Sequence, residues 1–299
     1  MDVVTPPWSL WLSRPLPGRL RFLMLVLLYA ALVALCAGSL WAAGELSFGR
    51  NPWSNLLKSV DELSRPSFLD LWFGPTQLEY RSDDGTVLRV ENRQLVELAF
   101  LKALAAATWT TVQIATLGSL LGALLALPFG LLSAHNLAAP RWLAAAARAV
   151  LNVTRAIHTL VFGLVLVGIV GLGPMAGILA IALHSMGTYG KLYAESIEAL
   201  DMAAVDAVRA TGAGPVQVFF NAVWPAVLPQ FVSNHLYIWE YNIRDSTILG
   251  LIGAGGLGLL ISEATSLFQW GRLATLLIVV IALVSVFDQM SRRIRQALL

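Results

Sequence analysis

Long apolar runs alternate with short polar ones along this chain. Stretches close to the twenty or so residues needed to cross a bilayer occupy 22–43, 103–132, 155–172, 174–192, 227–250 and 272–290. They predict six membrane-spanning helices. The second run is long enough to tilt, or to begin as an interfacial helix. The first follows Arg14, Arg19 and Arg21, a charge pattern that secretory leaders share. A leader's apolar core is only about 7–15 residues, so this longer run reads as a retained span.

Two polar stretches interrupt the pattern. Residues 45–100 mix acid and base. Asp84-Gly85, between Leu78-x-Tyr80 and Val87-x-x-Val90, predicts a hairpin turn in a short two-stranded ribbon. Phe68, Leu71, Trp72 and Phe73 form an apolar face suited to the membrane interface, and a plain connector explains them equally well. In 193–225, Ala203 to Ala210 is helix-prone with Asp206 and Arg209 on its exposed side. Gly212 and Gly214 should stop that helix, because glycine tolerates left-handed backbone. Pro215 can then open a second helix at its first turn. Pro225 and Pro229 flank the start of the fifth span. The result is a helix, a sharp turn and another helix.

Composition agrees. Hydrophobic residues make up 57% of the chain and charged ones 13%, about half the share of a soluble domain, and mean hydropathy is +0.71. A net charge of +2 without a basic arm gives no footprint for nucleic acid. Cys36 is the single cysteine, so no intrachain disulfide can form. Arg14, Arg19 and Arg21, then Arg141 and Arg148, then Lys191 and Arg209, then Arg292, Arg293 and Arg295 all fall on one side if six spans alternate. Under the positive-inside rule both termini are cytoplasmic.

Motifs for chemistry are missing. "GTYGKLY" at 187–193 has Gly-Lys but neither the upstream glycine nor the Ser or Thr of a phosphate-binding loop. There is no HExxH, no cysteine pair and no histidine cluster; His135, His158, His184 and His235 are scattered. A lone intramembrane His184 reads first as hydrogen-bonded packing. The chain has no evident means of hydrolysing ATP.

Residues 206–225 resemble the "EAA" loop of bacterial ABC importer permeases, E-A-A-x-x-x-G followed by I-x-L-P. Asp206, Ala207 and Val208 take the EAA positions, Gly212 the glycine, and Ala222-Val223-Trp224-Pro225 the tail. Only Ala207, Gly212 and Pro225 match outright. The stretches 155–200, 207–229 and "EYNIRDSTILGLIGAGGLG" (240–258) are together similar to the phosphonate-type permeases of that class. The resemblance covers about 100–295.

It implies an all-α integral membrane protein with six transmembrane helices, of type I importer (MetI-like) architecture with a cytoplasmic coupling helix. Residues 1–100 would form an N-terminal span plus external connection, and 101–299 the permease core with its loop at 195–225. Asp206, Ala207, Val208, Arg209, Ala210, Thr211, Gly212, Ala213 and Gly214 would dock in a cleft of an ATP-binding cassette subunit. Partners would be a second permease copy in a homodimer, two such subunits, an external substrate-binding protein and membrane lipid, in the bacterial inner membrane. This chain would bind no cofactor; ATP and Mg would sit on the partner. The cargo would be phosphonate or a related phosphorus oxyanion. Rivals are a permease of this architecture for another small nutrient such as methionine, or a self-sufficient secondary transporter.

The 240–258 stretch poses its own problem. Counting from Pro225–Pro229, Arg244 should lie in the outer half of the bilayer, where facing lipid costs ~2.5 kcal/mol or more. Glu240 stands one turn earlier, at ion-pair spacing, and Asp245 points about 100° away. Two readings remain: a Glu240–Arg244 pair that fastens the span, or Arg244 with Asn242, Ser246 and Thr247 lining a translocation path. Gly253, Gly255 and Gly256 are poor helix formers. They would form an outer gate where two copies meet, or simply end the span.

Overall fold

The computed structural model describes residues 18–45, 51–74, 76–81, 86–137 and 140–298. Arg14 and the Asp84-Gly85 turn lie outside the described residues. Contacts divide the chain into two compact units, Met1–Lys58 and Ser59–Leu299.

In the first unit, α1 (Gly18–Ala42) holds the stretch Leu20–Ala42, whose mean hydropathy of 2.5 suits a bilayer. Helix α2 (Pro52–Leu63) starts at a proline, the residue whose missing N–H costs a first turn nothing.

The second unit contains a cap near its start. A 3₁₀ turn (Ser67–Leu69) leads into α3 (Asp70–Phe73). Trp72 and Phe73 are exposed there, as an interfacial face requires. The expected ribbon is present: β1 (Gln77–Arg81) pairs antiparallel with β2 (Val87–Asn92), Tyr80 opposite Arg89, with a bulge after Tyr80. The cap is fastened by the Arg93–Asp70 ion pair and by a buried Ser67–Thr275 hydroxyl bond of 3.1 Å.

The core is helical. Helix α4 (Arg93–Ser133) is capped by Asn92, which accepts from the Gln94 N–H at 3.0 Å. Its 41 residues run about 60 Å, twice a bilayer core. Next come α5 (Arg141–Ala156), α6 (Thr159–Val170) and α7 (Pro174–Glu198). Helix α7 is central, and it packs on α4 through small residues. A Cβ on Gly122 would come within 2.9 Å of the Ala182 carbonyl. Such backbone approach is how helices associate where no hydrophobic effect separates them from lipid. Further on lie α8 (Met202–Ala210), α9 (Pro215–Val218), a wide π turn (Phe219–Val223), α10 (Trp224–Leu249), a second wide turn (Gly250–Ala254), α11 (Leu257–Ser266) and α12 (Trp270–Leu298).

Three described helices are long and apolar enough to cross a membrane, or up to five if each bent pair is one span. The bent pairs are α5 with α6, at 90°, and Pro215–Ala254 with α11, at 59°. The expected span 174–192 forms a helix but falls outside that set. With Ala180, Ile181, Tyr189 and Ile197 fully buried against neighbours, α7 meets protein more than lipid and tolerates polar residues.

Candidate functional site

The polar stretch 193–225 folds as a knuckle. Asp201 caps α8 by accepting from the Ala203 N–H at 2.9 Å. Val205 is buried, while Asp206, Ala207, Arg209 and Ala210 face outward and Val208 packs inward. Asp206 and Arg209 form an ion pair at 2.9 Å. Thr211 closes the helix, its hydroxyl donating to the Val208 carbonyl. Gly212 then adopts φ 81°, the left-handed geometry that only glycine takes cheaply. Gly214 corrects the expectation: its φ is an ordinary −68°, and it serves as the cap before Pro215 rather than as a second stop. Ala213 packs on the same core cluster as Val208. The knuckle's root is held from behind. The Asn136 side-chain amide donates to the Ile197 carbonyl at 2.7 Å, and the His135 N–H donates to Glu198 at 2.8 Å. No local pattern announces these two contacts, which span more than sixty residues.

The second polar stretch lies on α10. The Ser291 hydroxyl donates to the Leu236 carbonyl at 3.2 Å, and Trp239 meets Phe287 edge-on, with centroids 5.0 Å apart. These contacts make α10 and α12 antiparallel, and equal helical rise then sets Arg244 opposite about residue 283. Arg244 therefore sits near the middle of α12's apolar length, not in the outer half as expected. The count from Pro225 started too early: Leu236 already lies opposite Ser291, so the first turns of α10 run beside the charged end of α12, with Asp288, Arg292 and Arg295.

The expected Glu240–Arg244 pair is also corrected. Glu240 pairs with Arg295 at 3.7 Å, both side chains largely buried, and Arg295 also lies 5.8 Å over the Tyr237 ring. Arg244 is exposed and forms no ion pair among the described residues. Nor do Asn242, Ser246 and Thr247 share its face. The Asn242 amide donates to Ser119 at 2.8 Å and to Ser185 at 2.9 Å. Asp245, 5% exposed, accepts from the Thr159 hydroxyl at 2.7 Å. Ser246 donates to the Ile243 carbonyl at 2.8 Å, and Thr247 to that carbonyl at 3.3 Å. Asn242 ties α10 to α4 and α7, Asp245 ties it to α6, and Ser246 also reaches the Thr111 carbonyl of α4 at 3.2 Å, while Thr247 bonds only within α10. Arg244 instead shares an outward stripe with Tyr237, Tyr241 and Ile248, at helical spacing.

The glycines that follow make a tight re-entrant corner inside one chain. Gly253, Gly255 and Gly256 have φ of 96°, 87° and 71°. The Gly173 N–H donates to the Gly253 carbonyl at 3.0 Å. The Thr111 hydroxyl receives the Leu257 N–H at 2.8 Å, and a Cβ on Gly256 would strike that oxygen at 2.5 Å. Gly250 and Gly258 cross so closely that a Cβ on Gly258 would stand 2.0 Å from the Thr247 carbonyl. Irregular backbone of this kind is tolerated at membrane depth when buried in protein.

The bundle thus carries an exposed arginine on α10 and a capped knuckle at α8. The profile of the binding-protein-dependent transport system inner membrane component matches residues 126–299, more than half of the chain, and the chain belongs to that family. It is 38% identical over 189 residues to a putative phosphite transport system permease protein, HtxC, of Stutzerimonas stutzeri, covering 63% of this chain and 67% of that protein. It is 37% identical over 188 residues to the phosphate-import permease protein PhnE of Mycolicibacterium smegmatis, covering 63% of this chain and 35% of that one. Among solved structures, the inward-facing MetNI methionine ABC transporter is similar with TM-score 0.61 at 22% identity, over 67% of this chain and 98% of that one. That likeness carries the fold. As a family member the chain is a multi-pass inner-membrane permease subunit. It works with a binding protein outside and an ATPase subunit inside, and is itself a transport component rather than an enzyme.

Proposed function

We propose that this chain is the permease of an importer for phosphonate or a related phosphorus oxyanion such as phosphite or a phosphate ester. It works as a homodimer of six-span subunits with both termini cytoplasmic. Two ATP-binding subunits supply ATP and Mg, and the chain binds no cofactor of its own. The residues of the α8 knuckle, Asp206 to Gly214, dock in a cleft of each ATP-binding subunit. Stiffness suits them to this: a capped helix closed by Gly212 and rooted through Asn136 passes on a rotation that a loose loop would absorb.

The observation that carries the reading is the outward stripe of Arg244, Tyr241 and Tyr237. A guanidinium facing lipid at that depth is costly by ~2.5 kcal/mol or more, so the stripe faces a second copy and a water-filled path between the two. One cation flanked by hydroxyls attracts an anion without holding it fast, as conduction requires. Glu240, turned toward Arg295, leaves that field unquenched. Asn242, Asp245, Ser246 and Thr247 act in this reading as the frame behind the path. Gly253, Gly255 and Gly256 form the corner that closes its outer end.

The test is uptake by the assembled complex in proteoliposomes, with binding protein outside and ATP on the cytoplasmic face. ATP-dependent accumulation of phosphite or methylphosphonate is expected. Accumulation of methionine but of neither phosphorus anion would refute the substrate class. Uphill accumulation by this subunit alone would refute the transport mechanism.

A further inference from the structure

One helical turn from Arg244 toward the knuckle, α7 and α10 enclose a cavity of about 220 Å³ lined by His184, Ser185, Thr188, Tyr237, Tyr241 and Asn242. The size is informative, since sites for drug-sized ligands begin near ~300 Å³. This one suits a solute of a few heavy atoms.

The polar groups divide by what they are already doing. Asn242 and Ser185 are bonded to each other and to Ser119. The His184 Nδ1 lies 2.8 Å from the Ile157 carbonyl, so it is the donor there and that donor is already used. The hydroxyls of Thr188, Tyr237 and Tyr241 have no hydrogen bond to the described residues. Tyr237 is 55% and Tyr241 42% exposed. Hydroxyls at membrane depth lacking a partner are unfavourable by ~1–3 kcal/mol each. All three residues line one small space, so their hydroxyls are available to a common acceptor.

We propose that this cavity is a transit site for a tetrahedral phosphorus oxyanion. The Thr188, Tyr237 and Tyr241 hydroxyls replace part of its water shell, and Arg244 one turn outward supplies the field that draws it in. The inference rests on the functional reading above and adds to it where the anion pauses, and why an anion does so. No Asp or Glu lines the cavity. The Asp245 carboxylate acts on Tyr241 from outside the lining and is held by the Thr159 hydroxyl at 2.7 Å, so an ammonium group would meet no carboxylate within the cavity, whereas an oxyanion meets the hydroxyls of Thr188, Tyr237 and Tyr241. Neutral donors bind a charged oxygen by ~1.5–3 kcal/mol each. That selects the anion yet lets it leave.

Removing the hydroxyls without changing shape tests this in the complete reconstituted complex. Tyr241→Phe and Thr188→Val are each expected to lower methylphosphonate or phosphite uptake at sub-saturating concentration about tenfold, the factor equivalent to ~1.4 kcal/mol. ATP hydrolysis stimulated by the loaded binding protein should stay within about twofold, and Thr188→Ser should keep wild-type uptake. Thr188→Trp, which fills the space, should stop uptake while hydrolysis continues. Wild-type uptake by the Tyr241→Phe/Thr188→Val double variant overturns the site and leaves the phosphorus-anion reading standing. Uptake and hydrolysis falling together would mark the hydroxyls as structural, and overturns it too. A wild-type complex that imports neither phosphorus anion overturns the functional reading and this site with it.

Discussion

Helix α10 shows two faces with opposite solutions to the same difficulty. Its inner face places Asn242, Asp245 and Ser246 against the chain's own helices, each with a partner on another helix at 2.7–3.2 Å. Its outer face carries Tyr237, Tyr241 and Arg244, exposed along one stripe. Both faces hold polar groups that lipid would reject. The inner set is satisfied within the fold and so specifies packing. The outer set makes no hydrogen bond to the described residues, and the proposed path runs along it. Polarity at membrane depth thus marks function only where the chain has not already spent it on itself.

The sharpest way to break the contrast is to disrupt the corner that supports both faces. Gly258→Val sets a branched side chain against the Thr247 carbonyl, where even a Cβ would be 2.0 Å away. Since backbone rather than a flexible side chain must move, a loss of about 3 kcal/mol or more is expected. It should appear as failure to recover a monodisperse complex, and an unchanged melting temperature would contradict the crossing. On the inner face, Asn242→Leu strips Ser119 and Ser185 of their shared partner. Leaving buried hydroxyls unsatisfied should destabilise by ~1–3 kcal/mol, read as a lower thermal midpoint, with residual transport falling in step with folded protein.

On the outer face the pattern should invert. Arg244→Ala should change the thermal midpoint little, as for an exposed surface residue (within about 0.5 kcal/mol). Anion uptake should drop about tenfold, equivalent to ~1.4 kcal/mol of lost attraction. Wild-type uptake kinetics with intact assembly would remove Arg244 from the path.

The smallest effect is expected at the knuckle's root. Burial alone would raise the Glu198 carboxyl, but hydrogen bonds from the His135 backbone and ring, with the Arg148 charge, hold it below the ordinary carboxylate value. A depressed folded-state pKa stabilises above the unfolded value and is lost as pH falls through the folded one. The Glu198 side chain is 34% exposed, so solvent screens most of this. Melting followed from pH 7 into the acid range should show a shallow decline, which Glu198→Gln flattens. A decline unchanged by that substitution would assign it to other carboxylates.

The knuckle was legible because its signals are local. Gly212 turns left-handed and Pro215 restarts, each within its own few residues, whereas the Asp201 cap, equally local, went unread. The ribbon was legible for the same reason. The partners on α10 were not. Spacing paired Glu240 with Arg244, yet Glu240 lies against Arg295, a neighbour supplied by α12. Spacing also grouped Asn242, Ser246 and Thr247 with Arg244, although the 100° step between adjacent residues sends them into the core. The cavity between α7 and α10 joins residues about fifty positions apart; His184 is hydrogen-bonded packing, as read, and that it also borders this cavity no local pattern shows.

The sequence alone determined that the chain is a helical membrane protein with a polar knuckle, because apolar run length and glycine and proline geometry act over one or two turns; the permease reading came from its resemblance to a family. Tertiary structure alone decided which polar groups are used up in holding the bundle and which remain free for a solute. That depends on what each side chain meets across the bundle, and no local pattern encodes it.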